Sequence, residues 1–240
     1  DIAFTYATLL EMLKEQDKAL NVYLSLQKKL GNNPKIIERL VGIYIDKKEY
    51  KKAEELLKIG LSTEPNSYML NLLMGNLLNE KENYDEALKY INKAIDINPK
   101  DYRGYFLRAI IYDKRGEIIS AEKDLRKALE LNPEDPELLN HLGYSLLLWY
   151  EGTRLDEAET LIKKALEKDP ENPAFIDSMA WVLYYKGEIT GLFGSGPELR
   201  CVSIVGTRRC THRGYELTRR IAEELAGNGI TAVSGMARGI

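Results

Sequence analysis

Through the first 188 residues, apolar positions recur at helical spacing. Ala87, Ile91, Ala94 and Ile95 form one such set; Ala121, Leu125, Ala128 and Leu129 form the next. Each set follows i, i+4, i+7 and i+8, which puts one apolar stripe on a helix. The stripes recur along the chain. Ala19, Ala53, Ala87 and Ala121 stand 34 residues apart, and Ala158 follows after 37. Pro65, Pro99, Pro133 and Pro170 repeat the intervals 34, 34 and 37. A fixed period of this length marks an array of helical units. Each unit reads as a helix, a short polar turn, a second helix and a proline. In the third unit the pattern predicts a first helix over Ser67–Asn79, a turn over Glu80–Tyr84 and a second helix over Asp85–Asn98. Gly75 and Ala109 each lie 12 residues before the repeated alanine, where two helices must approach closely. The prolines fall just past helix ends, where a missing N–H costs nothing. The expected fold is mainly α, an α-solenoid of about five helix–turn–helix units.

Two units depart from the pattern. Gly143 precedes Ala158 by 15 residues rather than 12, so Trp149–Arg154 is expected to make a longer turn. The first unit has Leu26 where an alanine is expected, followed by Gly31-Asn32-Asn33-Pro34. The array also ends unfinished. Asn172–Lys186 reads as a first helix and Gly187-Glu188 as the start of a turn. The stretch Ile189–Pro197, rich in Gly and Pro, then reads as a loop where a second helix is due.

Composition changes at the same place. The whole chain of 240 residues has net charge −3. Residues 1–188 carry 27 basic and 33 acidic side chains, and all of the chain's Lys. Residues 189–240 carry no Lys, 7 Arg and 4 acidic residues. The chain is thus expected to divide into a repeat array over 1–188, a Gly-rich linker over 189–199 and a different segment over 200–240. In that segment Cys201–Val205 is a short apolar run ending at Gly206, the pattern of a buried strand. Thr211–Ala226 reads as an amphipathic helix and Ile230–Val233 as a second strand. Strand, helix, strand predicts a right-handed βαβ unit with parallel strands. Ligands of such sheets bind beyond the strands' carboxyl ends, where Gly206-Thr207-Arg208 and Ser234-Gly235-Met236-Ala237-Arg238 fall. Glycine backbone, a hydroxyl, an arginine fork and a helix N-terminus suit phosphate. The dinucleotide fingerprint is absent. Two strands and one helix cannot cover both faces of a parallel sheet, so the unit is expected to be truncated.

The repeat resembles the tetratricopeptide repeat (TPR) family over about residues 3–188. The matching positions are the small residues Gly75, Ala109, Gly143 and Ala180, the aromatics Tyr44 and Tyr112, the alanines Ala87, Ala121 and Ala158 with Ala94, Ala128 and Ala165, and the terminal prolines. The resemblance implies a scaffold whose groove binds a protein or peptide, with no chemistry and no cofactor of its own. Helical phase assigns to the groove Glu38, Gly42 and Ile45; Leu72, Asn76 and Asn79; Arg103, Phe106, Ile110 and Asp113; Asn140, Tyr144 and Leu147; Asp177, Trp181 and Tyr184. Arg, Asn and aromatic side chains suit an extended peptide. The clamp that some of these domains use for a C-terminal carboxylate needs a Lys where Leu72 stands, which argues against that mode.

The C-terminal segment resembles the start of the DNA-processing protein A (DprA/Smf) family over about 200–240. Val202–Val205, Gly206-Thr207-Arg208, Thr211, Gly214, the Arg219–Leu225 helix, Gly229-Ile230 and Ser234–Ile240 carry the match. The resemblance implies a Rossmann-like domain that binds single-stranded DNA in bacterial natural transformation. Gly206, Thr207, Arg208, Ser234, Gly235 and Arg238 would hold phosphate. Two readings follow. One is a protein-binding scaffold with a foreign end, as a join between two gene fragments would leave it. The other is a two-domain protein whose array recruits partners to single-stranded DNA. The second family and the two cysteines suggest bacterial cytoplasm. The chain starts at Asp1 without Met, as a fragment or a processed chain would. No run of 18 apolar residues occurs. No carboxylate pairs with His or Cys in a catalytic pattern, and Cys210 with His212 lacks a second pair of metal ligands. Neither an enzyme nor a metal protein is expected.

Overall fold

The computed structural model describes residues 2–186 and the two segments Cys201–Ile204 and Thr231–Ser234. Among these residues eleven helices occur in sequence: α1 (Ile2–Met12), α2 (Gln16–Leu30), α3 (Pro34–Asp46), α4 (Tyr50–Thr63), α5 (Tyr68–Glu80), α6 (Tyr84–Ile97), α7 (Tyr102–Lys114), α8 (Ile118–Leu131), α9 (Pro136–Trp149), α10 (Leu155–Lys168) and α11 (Pro173–Tyr185). Two strands follow, β1 (Cys201–Ile204) and β2 (Thr231–Ser234). The chain divides into two compact units, 1–124 and 125–240, with the boundary inside α8.

The helix starts carry the period of the sequence. Asn33, Ser67, Asp101, Asp135 and Asn172 cap α3, α5, α7, α9 and α11, each side chain accepting a hydrogen bond from a backbone N–H two or three residues on. A cap of this kind satisfies donors that a helix start leaves open, at about 1 kcal/mol each. Pro34, Pro136 and Pro173 take the first helical position, where a fixed φ and a missing N–H cost nothing. The turn inside each unit is also repeated. Lys14, Lys48, Glu82 and Gly116 have φ of 61°, 60°, 60° and 75°. Only one of these four left-handed positions holds the glycine that suits it.

Helix packing in unit 1–124 places the small residues where expected. A Cβ on Gly75 would stand 2.4 Å from Ile91 Cγ1, so α5 meets α6 at glycine backbone. Ala109 on α7 is buried in the equivalent place. In unit 125–240, a Cβ on Gly143 would stand 2.9 Å from the Ala158 carbonyl oxygen and 2.7 Å from Ile162 Cγ1. The core of the first unit runs from Ala7 to Ile111 and includes Tyr23, Ile37, Leu40, Leu57, Leu70, Leu77 and Ile91. In the second unit Leu139, Ala165 and Phe175 form a smaller cluster under Leu129, Leu161 and Leu166.

Three details differ from expectation. Ser67 and Asn172 are caps outside their helices, because their side chains bond the backbone ahead of them. Trp149 belongs to α9 rather than to the longer turn, since its indole is buried; the connection is Tyr150–Arg154, with positive φ at Glu151 and Gly152. The first unit packs as a regular helix pair, with Leu26 buried in the core. The strands β1 and β2 pair in parallel, from Cys201 against Thr231 to Ile204 against Ser234. The expected helix Thr211–Ala226 and the linker 189–199 lie outside the described residues.

Candidate functional site

The first helices of unit 1–124 present a mixed polar face. At one end of it lies a cavity of about 290 Å³ lined by Glu11, Gln16, Glu38, Arg39, Gly42, Ile43 and Asp46. Gln16 Nε2 donates to Asp46 Oδ2 at 3.2 Å, across the start of α2 and the end of α3. Arg39 Nη1 lies 3.7 Å from Glu11 Oε2, and the Tyr23 hydroxyl donates to Glu11 Oε1 at 2.5 Å. Burial first, then that bond, pushes the Tyr23 hydroxyl up to about 12. Glu38 differs from its neighbours. It is half-buried and has no hydrogen-bond or ion-pair partner among the described residues. Burial raises its carboxyl above the usual range, with Arg39 the largest opposing influence. Three carboxylates and one guanidinium leave this cavity net negative.

Further along, the expected groove residues divide. Asn76 and Ile110 are half-buried, as are Phe106 and Asp113. Arg103 is half-exposed but engaged: Nε donates to Asp101 Oδ1 at 2.9 Å and Nη2 to Asp101 Oδ2 at 2.6 Å. That fork holds the Asp101 carboxyl down near 2 and raises the guanidinium further. The Arg103 guanidinium also sits 5.5 Å from the centre of the Tyr68 ring. Leu72 and Asn79 do not present a surface. Leu72 is packed into the core, and buried Asn79 Oδ1 accepts from Lys114 Nζ at 2.8 Å. Their helical phase is right, but neighbouring side chains close over them.

In unit 125–240 the equivalent face carries Asn140, Tyr144 and Asp177, all half-buried. Asn140 Oδ1 is buried without a hydrogen-bond partner. Burial alone pushes the Asp177 carboxyl up to about 6. Trp181 is buried, edge-on to Tyr184 at 6.1 Å, and Leu147 is fully buried; both pack rather than face a ligand. Of the expected phosphate-binding residues, Ser234 is the last residue of β2. Gly206, Thr207, Arg208, Gly235 and Arg238 lie outside the described residues.

The sequence did not single out Arg108. It occupies the position, on α7, that Leu40 and Met74 hold on α3 and α5. Its guanidinium forks onto Asp124 and gives a third bond, Nη1 to Asn92 Oδ1 at 2.7 Å. The Tyr105 and Tyr112 ring centres lie 5.6 and 6.0 Å away. A charge at an apolar repeat position was the available signal.

Comparison with known proteins agrees with the repeat fold. Tetratricopeptide-repeat family models match residues 72–101 and 102–135. A model described as DNA recombination-mediator protein A matches residues 162–240. That match begins inside α10, so α11 falls within both the helical array and the second family's reach. Over 59 residues the chain is 44% identical to the protein Smf of Synechocystis sp.; this is 25% of the chain and 15% of the relative's length. A thermophilic TPR protein of Thermus thermophilus has a similar structure, at 22% identity and TM-score 0.63 over 78% of this chain and 97% of that one. PilF of Pseudomonas aeruginosa is similar at 14% identity and TM-score 0.65, over 82% and 92%. YrrB, a TPR protein with an unusual peptide-binding site, is similar at 20% identity and TM-score 0.51, over 74% and 90%. Residues 72–135 match tetratricopeptide-repeat models, the helical array has the fold of solved TPR proteins, and residues 162–240 are similar to the DNA recombination-mediator protein A family.

Proposed function

We propose that the first-helix face of residues 1–124 binds an extended peptide or protein tail, and that the cavity beside Glu38 takes a basic side chain from it. The observation that carries this reading is the unpaired, half-buried Glu38 in a net-negative cavity. A lysine or arginine entering there gives Glu38 the partner it lacks and offsets its desolvation. Asn76 on α5 and Ile110 on α7, at equivalent positions one period apart, supply a polar and an apolar contact. Asp101 already neutralises Arg103, which therefore serves as a flat contact beside Tyr68 rather than as a carboxylate clamp. An array of extended peptides differing at single Lys, Arg, Gln and Glu positions, probed with the full chain, tests this. Selection for one basic position is expected; equal capture of all sequences contradicts it.

The family match and the parallel β1–β2 pair favour a second activity for the C-terminal part, contact with single-stranded nucleic acid. A parallel pair requires a crossover connection, as in a Rossmann-like βαβ unit. Gly206, Thr207 and Arg208, with Ser234, Gly235 and Arg238, would meet phosphate beyond the two strands. Binding of an oligothymidylate should then weaken steeply with salt, and Arg208→Ala should lower that salt slope by about one. Binding that is indifferent to salt, or no binding at low salt, excludes this reading.

A further inference from the structure

Among the glycines within the described helices, Gly60, Gly75, Gly104 and Gly143 are packing contacts. A Cβ on any of them would stand less than 3.0 Å from a neighbouring side chain. Gly42 on α3 is different: a Cβ built there meets nothing within 4 Å. Nor is it among the residues with positive φ. Glycine inside a helix costs stability relative to alanine, yet neither packing nor backbone conformation requires it here. The same register position carries a side chain in every later unit. Asn76, Ile110 and Tyr144 follow at intervals of 34 residues, and Trp181 after 37. At Gly42 that side chain is missing, and Gly42 lines the cavity of about 290 Å³ that Glu38 also lines.

Each Cα–Cβ bond in a helix tilts toward the N-terminus. A side chain at position 42 would therefore lie over the turn that holds Glu38, four residues back. On α5 the same spacing relates Asn76 to Leu72, and Leu72 is only 5% exposed. Glu38 is half-buried rather than closed over. We infer that Gly42 is a specificity-determining residue, its bare backbone keeping open the approach to Glu38 along which the stem of an incoming arginine lies. Glu38 supplies the charge, and Gly42 supplies room for the aliphatic stem. The inference rests on the reading of Glu38 as the acceptor of a basic side chain. A side chain at position 42 takes the volume that the stem needs, and a larger one takes more of it.

Thermal unfolding of the full chain tests one half of this. Calorimetric titration with an extended peptide carrying one arginine, and with its glutamine counterpart, tests the other. Gly42→Ala should raise the melting temperature by about 2 °C, since alanine gains helix propensity and meets no clash. Gly42→Leu should keep the helical circular dichroism and lower the preference for the arginine peptide at least about tenfold. Gly42→Ala should lower that preference by a smaller factor. A Gly42→Ala chain that melts below the parent overturns the inference, because the glycine then serves the fold. So does a Gly42→Leu chain that keeps the full arginine preference while Glu38→Gln loses it; the reading of Glu38 then stands without Gly42. A parent chain with no arginine preference overturns both.

Discussion

Arg108 on α7 and Asp124 on α8 form a forked ion pair: Nε to Oδ2 is 2.6 Å and Nη2 to Oδ1 is 2.9 Å, with Asp124 only 4% exposed. Such a pair is strong only while both members are present. Asp124→Ala leaves a largely buried guanidinium without its counter-charge and should destabilise the chain by about 3 kcal/mol. Replacing both, as Arg108→Met with Asp124→Leu, restores the apolar register of Leu40 and Met74. It should be neutral or stabilising. Urea unfolding of the two variants distinguishes these outcomes.

Gly75 is a contact rather than a hinge. Its neighbour Ile91 is fully buried, so it cannot swing away without opening the core. Gly75→Ala gains helix propensity but forces a clash, and overpacking of this kind costs about 1–3 kcal/mol. Ile91→Val in the same chain should recover part of the loss. A double-mutant cycle by thermal unfolding measures the coupling.

Lys48 and Glu82 hold φ near 60°, where a side chain is strained and Gly116 sits at the equivalent turn. Lys48→Gly and Glu82→Gly should each raise stability by roughly 0.5–1 kcal/mol. A rise in melting temperature for both, with no such rise for Lys51→Gly on helix α4, checks the backbone origin of the effect.

Burial raises the Asp177 carboxyl to about 6 from an ordinary 3.8. The folded chain therefore holds that proton more tightly than the unfolded chain. The associated stability is full below pH 3.8 and is lost as pH rises through 6. Asp177→Asn should stabilise the chain at pH 7.5 by on the order of 1 kcal/mol, the full shift being reduced by solvent screening. Near pH 4 the variant and parent should melt together.

The repeat was readable because its alanines, prolines and caps recur at one interval, each for a local reason. The caps Asn33, Ser67 and Asp101 fix helix starts, and Gly75 and Ala109 fix close approaches. Ligand-facing positions were less readable. Helical phase gives the direction of a side chain, whereas Leu72, Asn79 and Trp181 are covered by side chains from elsewhere in the fold. The Glu38 cavity also draws on Glu11 and Gln16 from the preceding unit, contacts that no single helix pattern contains. Arg108 escaped notice because its partner Asp124 lies on another helix.

The most direct test of the scaffold reading is a calorimetric titration of the chain with an extended peptide carrying one arginine, alongside the same peptide with that arginine replaced by glutamine. The account predicts that the arginine peptide binds at least about tenfold more tightly, and that Glu38→Gln removes this preference while leaving the glutamine peptide unaffected. Equal binding of both peptides, or an arginine preference that survives Glu38→Gln, would contradict it.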